Sequence, residues 1–529
     1  MKSTDSKGFF NRFMGVSRPL PKPELGLDED IEKALLTTKA YALMSCLQTR
    51  HRQGAGLKDI RMLLDKCRQA GWSRLEIDKL EIMDCYYHQS DMAHSAELAR
   101  RYLQSLRTDP DVLVIAMTSL YHMARFEEAM IALSRARENE QNFSGRVEYY
   151  LNAAVILWSN GRVQEAGSYI KNAYQIAEDN IEVLFNAYGI HFENQDQEEL
   201  DRIGPQILQR CDDDRVVLTL AAANLAQNRY IEGFRLLNSC LSVRNTRHAP
   251  LEASRWDGES IAGKTLLLLS EQGLGDTIQM ARYLGHVTTK GAAIIVMKTQ
   301  EETLSLLKFN FPDIHIITRN FDESSISFDY WLNTMSLPYV FQTTAESVPG
   351  RAGYLRIPPE VVDYWQNRVE VLASKKRLKI GIAWSGRPQH HANMRRSIPF
   401  LSMMDAISPI DALFFALQKQ VPPEHPDHLI DLADEIITLA DTAALIAEMD
   451  LIITVDTSIV HLAGAIGKET WLLLPYRYEW RWGLAGEQNN WYESVKVLRQ
   501  PTHGDWDSVL SDVFGNRLTS HVWNKQERQ

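Results

Sequence analysis

The apolar pattern of this 529-residue chain changes period once, and that change bounds what the chain can fold into. From about Leu35 to Val243, apolar residues recur at three- and four-residue spacing with only two prolines, Pro110 and Pro205, which predicts an all-α block. The stretch Arg244 to Gly263 holds Pro250, Gly258 and Gly263, has little periodicity, and marks a domain boundary. Beyond it, short apolar runs alternate with amphipathic helical stretches. The runs are Thr265 to Leu269, Ala292 to Met297, Ile314 to Ile317, Tyr330 to Leu332, Lys379 to Trp384, Ala412 to Leu417, Leu451 to Val455 and Thr470 to Leu474. Strand and helix repeated in this order predict parallel α/β sheets.

Inside the helical block, helix pairs begin near Ile77, Pro110, Val147, Ile181 and Arg215, a recurrence of roughly 34 residues. Small residues stand where paired helices must approach closely: Ala96, Ala129 with Ala136, and Ala166 with Ala173. The clearest unit runs from Val147 to Glu178, with Tyr150, Ala154 and Leu157, a turn at Asn160-Gly161, then Ala166, Ile170 and Ala173. This unit resembles the tetratricopeptide consensus, without the proline that commonly ends it; Asp109-Pro110 supplies such an ending one unit earlier. A stack of such pairs leaves a groove suited to a protein or peptide, while a helical bundle with no binding role is the plainer alternative.

The strand-bearing half divides again. Val348-Pro-Gly350 through Pro358-Pro359 reads as a linker, followed by a charged helix ending at Lys375-Lys-Arg377. Two doubly wound domains of roughly 110 to 150 residues are expected to face each other across a cleft, with ligands at the carboxyl ends of the strands. The expected boundaries are a basic N-terminal tail (1–30), helical repeats (31–245), a linker (246–263), an acceptor-side domain (264–372), a donor-side domain (373–515) and a C-terminal tail (516–529).

Composition narrows the function classes. With 57 basic against 68 acidic residues the net charge is −11, so no basic field favours nucleic acid. No apolar run reaches the ~18 residues needed to cross a bilayer, and Met1 to Phe10 lacks the apolar core of a secretory signal. Five cysteines (Cys46, Cys67, Cys85, Cys211, Cys240), without a Cys-x-x-Cys pair, fit a reducing cytoplasm better than a disulfide framework or zinc site. In the tail, Lys2, Lys7, Arg12, Arg18 and Lys22 with Phe9, Phe10 and Phe13 fit either a mobile terminus or a small membrane or partner patch.

Four constellations fall at predicted strand ends. Glu271-Gln-Gly-Leu-Gly-Asp276 follows the first strand, where backbone donors at a helix start can bind a phosphate or hydroxyl and a carboxylate can act as a base; an ordinary structural turn is the alternative. Trp384-Ser-Gly-Arg-Pro-Gln-His-His391 and Arg395-Arg-Ser-Ile-Pro399 follow the first strand of the second sheet, and Gln418-Lys419 follows its neighbour. Thr454-Val-Asp-Thr-Ser-Ile-Val-His-Leu-Ala-Gly-Ala465 runs from strand into helix, with Asp456, Thr457 and Ser458 placed to cap it and bind an anion. The aromatic run Pro475-Tyr-Arg-Tyr-Glu-Trp-Arg-Trp482 can stack a base or sugar, or simply cover the hinge between the domains.

From about Lys264 to Leu510 these motifs, and Asp456 to Ala463 above all, resemble the family 9 glycosyltransferases, which include the ADP-heptose lipopolysaccharide heptosyltransferases and have a GT-B fold. By domain order, the whole chain resembles bacterial proteins that fuse tetratricopeptide repeats to such a domain, among them flagellin and other protein glycosyltransferases. The resemblance implies that Asp276 is the catalytic base; on chemical grounds the second carboxylate, Glu271, is its alternate. The resemblance also implies donor contacts from Gly273, Gly275, Trp384, Arg396, Lys419, Asp456, Thr457, Ser458 and His461. Three departures stand out: Arg396 falls where the family carries a Lys, Ser458 where Gly is common, and Glu271 adds a second carboxylate five residues before Asp276.

The chemistry expected is a single displacement that inverts the anomeric carbon, with a nucleotide sugar as substrate and no cofactor. No metal is required by that scheme: there is no Asp-x-Asp triplet, and His390-His391 lack other ligands at suitable spacing. Expected partners are the nucleotide sugar and a protein or peptide acceptor in the repeat groove, with self-association compatible with such repeats. Two other classes stay open: a non-catalytic adaptor with a degenerate sugar-nucleotide domain, and a lipopolysaccharide or capsule transferase.

Overall fold

The structure is a computed structural model that describes residues 77, 81–82, 92–104, 109–123, 125–194, 196–211, 213–244, 253–322, 326–373, 377–386, 396–476, 479–502 and 504–518. The basic tail, the start of the helical block, Cys46, Cys67, Cys85, His390, His391 and Arg395 lie outside the described residues. Two compact units divide at Asp213.

The first unit is helical. Its helices are α1 (Met92–Gln104), α2 (Pro110–His122), α3 (Phe126–Arg137), α4 (Val147–Ser159), α5 (Val163–Ile176), α6 (Ile181–Glu193) and α7 (Gln197–Arg210). Local chemistry sets their ends. The Asp109 carboxylate accepts the Asp111 and Val112 N–H groups at 3.1 and 3.2 Å, and Pro110 occupies the first helical position, where a missing N–H costs nothing. Asn180 caps α6 in the same way, at 2.9 and 3.2 Å. Ala96, Ala129, Ala136, Ala166 and Ala173 are all buried, as expected of small residues at helix contact positions. Gly161 turns the chain between α4 and α5 with φ +76, the left-handed region open to glycine.

The second unit begins with α8 (Asp214–Ala226) and α9 (Tyr230–Arg244), ahead of the 246–263 stretch that the sequence marks as a boundary. The reason is burial: Leu225, Tyr230 and Phe234 belong to the same apolar core as Trp256, Met280, Trp482 and Trp491. Tyr230 stacks on Trp491 at 5.5 Å, and the Asn490 side chain donates to Asn228 Oδ1 at 2.7 Å.

Among the described residues two parallel sheets follow. The first contains β1 (Ser254–Arg255), β2 (Thr265–Leu269), β3 (Ile294–Thr299), β4 (His315–Thr318) and β5 (Tyr330–Asn333), in the order β1-β5-β2-β3-β4. The second contains β6 (Leu378–Ala383), β7 (Ala412–Ala416), β8 (Leu429–Asp431), β9 (Leu451–Val455), β10 (Thr470–Leu474) and β11 (Val495–Arg499), in the order β11-β10-β9-β6-β7-β8. The helices that position the site are α10 (Leu274–Ala281) and α11 (Leu304–Asn310) on the first sheet, α12 (Pro359–Leu372) after the linker, and α13 (Phe400–Ile407), α14 (Leu439–Glu448), α15 (Ser458–Ala465) and α16 (Trp506–Leu510) on the second.

Each predicted run is a strand. β1, β8 and β11 are additional: the first two have two and three residues, and Val495-Lys-Val-Leu-Arg499 carries charges at an edge instead of a continuous apolar signal. The linker is stitched to the second sheet, because the Tyr354 and Leu355 N–H groups both donate to the Ala465 carbonyl, at 2.7 and 2.9 Å. Its Tyr354 hydroxyl donates to the Ile278 carbonyl of α10 at 2.7 Å, which ties the first sheet to the same point.

Candidate active site

In a doubly wound sheet the ligand crevice opens where successive connections leave in opposite directions, outside the carboxyl ends of the strands. That point lies between β2 and β5 in the first sheet and between β6 and β9 in the second. The residues singled out in the sequence fall at both points: Glu271 to Asp276 follow β2, Trp384 follows β6, and Asp456 to Ser458 follow β9.

At the first point the turn is braced from its neighbours. Glu271 reaches the segment after β5, accepting the Met335 N–H and the Thr334 hydroxyl at 3.3 Å each. Burial, reinforced by the nearby Asp276 charge, pushes its carboxyl up to about 7. Arg319 donates to the Ser270 and Gln272 carbonyls, and the Gln300 amide also reaches Gln272, at 2.8 Å. Gly273 is the N-cap of α10, and its N–H donates to Asp276 Oδ2 at 2.9 Å. The other oxygen of Asp276 takes the guanidinium of Arg481, which arrives from the segment after β10. Asp276 remains 23% exposed and Arg481 8%, so the carboxylate opens to solvent while its partner does not.

At the second point Arg396 Nη1 donates to the Asp456 carbonyl at 2.7 Å, which places a cation beside the start of α15. Its Nε is buried without a hydrogen-bond partner. Burial raises the Asp456 carboxyl, opposed by the charges of Arg396 and then Arg481. Thr457 is the N-cap of α15, its hydroxyl accepting the Ile459 N–H at 3.3 Å, and Ser458 is the first helical residue.

Three residues expected at the donor make defined protein contacts. Trp384 is buried in the core of the second sheet against Phe400 (5.4 Å), and only its backbone N–H faces the strand ends, donating to Gln418 Oε1 at 3.1 Å. Lys419 turns away and donates its Nζ to the Ile436 and Ala433 carbonyls. His461 is buried inside α15: its ring stacks on Trp482 at 5.5 Å, its Nδ1 pairs with the Tyr492 hydroxyl at 2.9 Å, and its edge meets Gly275 of α10. Burial, with Arg481, Arg282 and Arg396 nearby, holds its pKa well below the ordinary histidine value, so the ring is a neutral wedge between α10 and α15.

Sequence reasoning missed Arg481, Glu479 and Gln279. Arg481 donates to Glu479, to Gln279 Oε1 at 2.6 Å and to Asp276, and its guanidinium lies over the Trp480 ring at 4.3 Å. The available signal was an Arg embedded in an aromatic run: a guanidinium buried beside Trp482 needs partners. Of the two roles open to that run, Trp480 and Trp482 take the covering one, packed on Phe234 and His461 respectively. Among the described residues no group of His, Cys, Asp and Glu is arranged to hold a metal ion, and no helix is long and apolar enough to cross a membrane.

The fold is thus an α/β pair of doubly wound parallel sheets with charged side chains at the carboxyl ends of their switch-point strands. No family model matches the chain. It is similar to Protein FlbA of Caulobacter vibrioides, 24% identical over 316 residues that make up 55% of this chain and 52% of that protein, so the chain spans about half the length of this curated relative. Among solved structures, the E. coli ADP-heptose LPS heptosyltransferase II aligns with 50% of this chain and 100% of its own (14% identity, TM-score 0.35). The glycosyl transferase family 9 protein of Veillonella parvula aligns with 46% and 88% (12% identity, TM-score 0.34).

Proposed function

We propose that the chain is an inverting glycosyltransferase that moves a sugar from a nucleotide-sugar donor to an acceptor, and that its helical repeats, read as a tetratricopeptide array, select a protein acceptor such as flagellin. The observation that carries this reading is the meeting of two switch points. A solvent-accessible carboxylate, Asp276, ends the first sheet's turn, and a helix start with a guanidinium, Arg396 beside Thr457 and Ser458, ends the second sheet's. The family 9 resemblance of the same motifs supports it. A reducing, cytoplasmic setting belongs to this reading.

In this reaction Asp276 takes the proton of the acceptor hydroxyl as its oxygen forms a bond to the anomeric carbon. The bond from that carbon to the donor diphosphate breaks on the opposite face, which inverts the configuration. Charge developing on the leaving diphosphate is met by Arg396 and by the N–H groups and dipole of α15, with Gly273 and Gly275 allowing close approach at the first turn. Glu271 is the alternate base, its carboxyl near 7 being suited to exchange a proton at neutral pH. His461 and Trp384 support the site by packing.

A panel of ADP-, UDP-, GDP- and CMP-sugars, scored for nucleotide release, tests the proposal. Turnover is expected with at least one donor and should fall by about 10²–10⁴-fold in Asp276→Ala. An undiminished rate in that variant removes Asp276 from the base role. Tight donor binding by calorimetry without turnover for any acceptor favours a non-catalytic adaptor instead, and modified glycolipids in place of modified proteins favour a lipopolysaccharide or capsule transferase.

A further inference from the structure

Arg481 belongs to the second sheet by chain position and to the first by its contacts. It sits in the turn after β10 and spends its nitrogens on three partners: Nη2 on Asp276, Nε on Gln279 at 2.6 Å, and Nη1 on Glu479. Asp276 and Gln279 are three residues apart on α10, hence on one face of that helix. The Trp480 ring fixes the plane of the guanidinium from one side. Asp276 in turn has one donor on each oxygen, Gly273 N–H on Oδ2 and Arg481 on Oδ1, so rotation of its carboxylate is blocked. Burial disfavours the Arg481 cation, but the charges of Glu479 and Asp276 outweigh it and hold its pKa above the ordinary value.

The fork joins Asp276 of α10 to Glu479 of the segment after β10; both carboxylates reach solvent, at 23% and 42% exposure, while the guanidinium that fixes them is buried. We infer that Arg481 is a positioning residue for Asp276: it sets the orientation of the base and makes that orientation depend on the donor-side sheet being seated against α10. This inference rests on the proposed glycosyl transfer. Removal of the guanidinium frees the carboxylate to swing, and leaves Arg319 as a cation acting on Asp276 and Arg396 as one acting on Asp456 and Glu479. A misplacement of the base by about 1 Å costs on the order of 10²-fold in rate, without altering how the donor is held.

The test is a kinetic double-mutant cycle on the full chain, using the nucleotide sugar that turns over best. Arg481→Met is expected to lower kcat by about 100-fold with the donor KM within about threefold, because its effect passes through the base and not through donor binding. In the residual activity of Asp276→Asn, the same change is expected to cost no more than about twofold. Arg481→Lys keeps the charge but not the fork, and is expected to lose about tenfold in kcat; it carries the test if the Met variant does not fold. Equal losses in both backgrounds, or a loss confined to KM, overturn the positioning role while glycosyl transfer stands. Absence of turnover by the unaltered chain with every donor is a separate outcome, which removes the proposed reaction and this inference with it.

Discussion

Gly275→Ala is the sharpest probe of how the two sheets meet. A Cβ on Gly275 would lie 2.6 Å from His461 Cδ2 and 3.3 Å from its Nε2, and a contact below 3.0 Å forces something to move. His461 has nowhere to retreat. Trp482 lies parallel to its ring at 5.5 Å with an interplanar angle of 30°, Tyr492 holds its Nδ1 at 2.9 Å, and the residue is 6% exposed. The added methyl therefore overpacks a closed site, at a cost of about 1–3 kcal/mol. Alanine in a helical turn returns roughly 0.5–1 kcal/mol of backbone entropy, so a net loss of about 1–2 kcal/mol is expected. Urea unfolding followed by tryptophan fluorescence measures it. Gly285→Ala is the matched control: nothing lies within 4 Å of its Cβ, so that change should be neutral or slightly stabilising. The steric account also requires that the cost of Gly275→Ala vanish in a His461→Ala background. The same cost with and without the imidazole would refute the wedge between α10 and α15.

Two further outcomes follow from the same packing. Glu271 has a carboxyl near 7 in the folded chain against an ordinary value of 4.5, so the folded state holds the extra proton between those limits. Stability present below about pH 4.5 is therefore lost as pH rises through about 7, by up to roughly 3 kcal/mol, and Glu271→Gln should flatten that slope; an unchanged slope would exclude Glu271 as its source. Asp441 closes a capping box with Thr438 at the start of α14 and accepts the Trp365 indole N–H of α12 at 3.1 Å. Asp441→Ala should cost about 1–2 kcal/mol in the same urea assay, and a change under about 0.3 kcal/mol would mean that neither bond contributes.

Much of the architecture is legible without coordinates, because it depends on neighbours along the chain. Ala129, Ala136, Ala166 and Ala173 reveal the helix pairs through their spacing, and Asp109-Pro110 reveals a helix start. Thr265 to Leu269, Leu451 to Val455 and Thr470 to Leu474 match the strands to the residue, since a run buried on both faces carries an unbroken apolar signal. β11 does not, because an edge strand with Lys496 and Arg499 lacks that signal. The turn Glu271 to Asp276 and the segment Asp456 to Ser458 are likewise local, and both lie at strand ends as expected.

Which side chains face the crevice is another matter. Trp384, Lys419 and His461 stand within the predicted motifs, and burial, carbonyl contacts and stacking fix them to protein partners. Arg481 stands 205 residues from Asp276, and Gln279 and Asp276 find it only because α10 and the segment after β10 pack together. By itself the sequence determined the helices of the first unit, the two parallel sheets and the positions of their terminal turns, since periodicity and capping act within a few residues. Only the tertiary structure decided that Arg481 grips the candidate base and that His461 is a wedge. Those roles depend on which distant groups share a low-dielectric space, where a charge must find a partner and a ring must fill a gap.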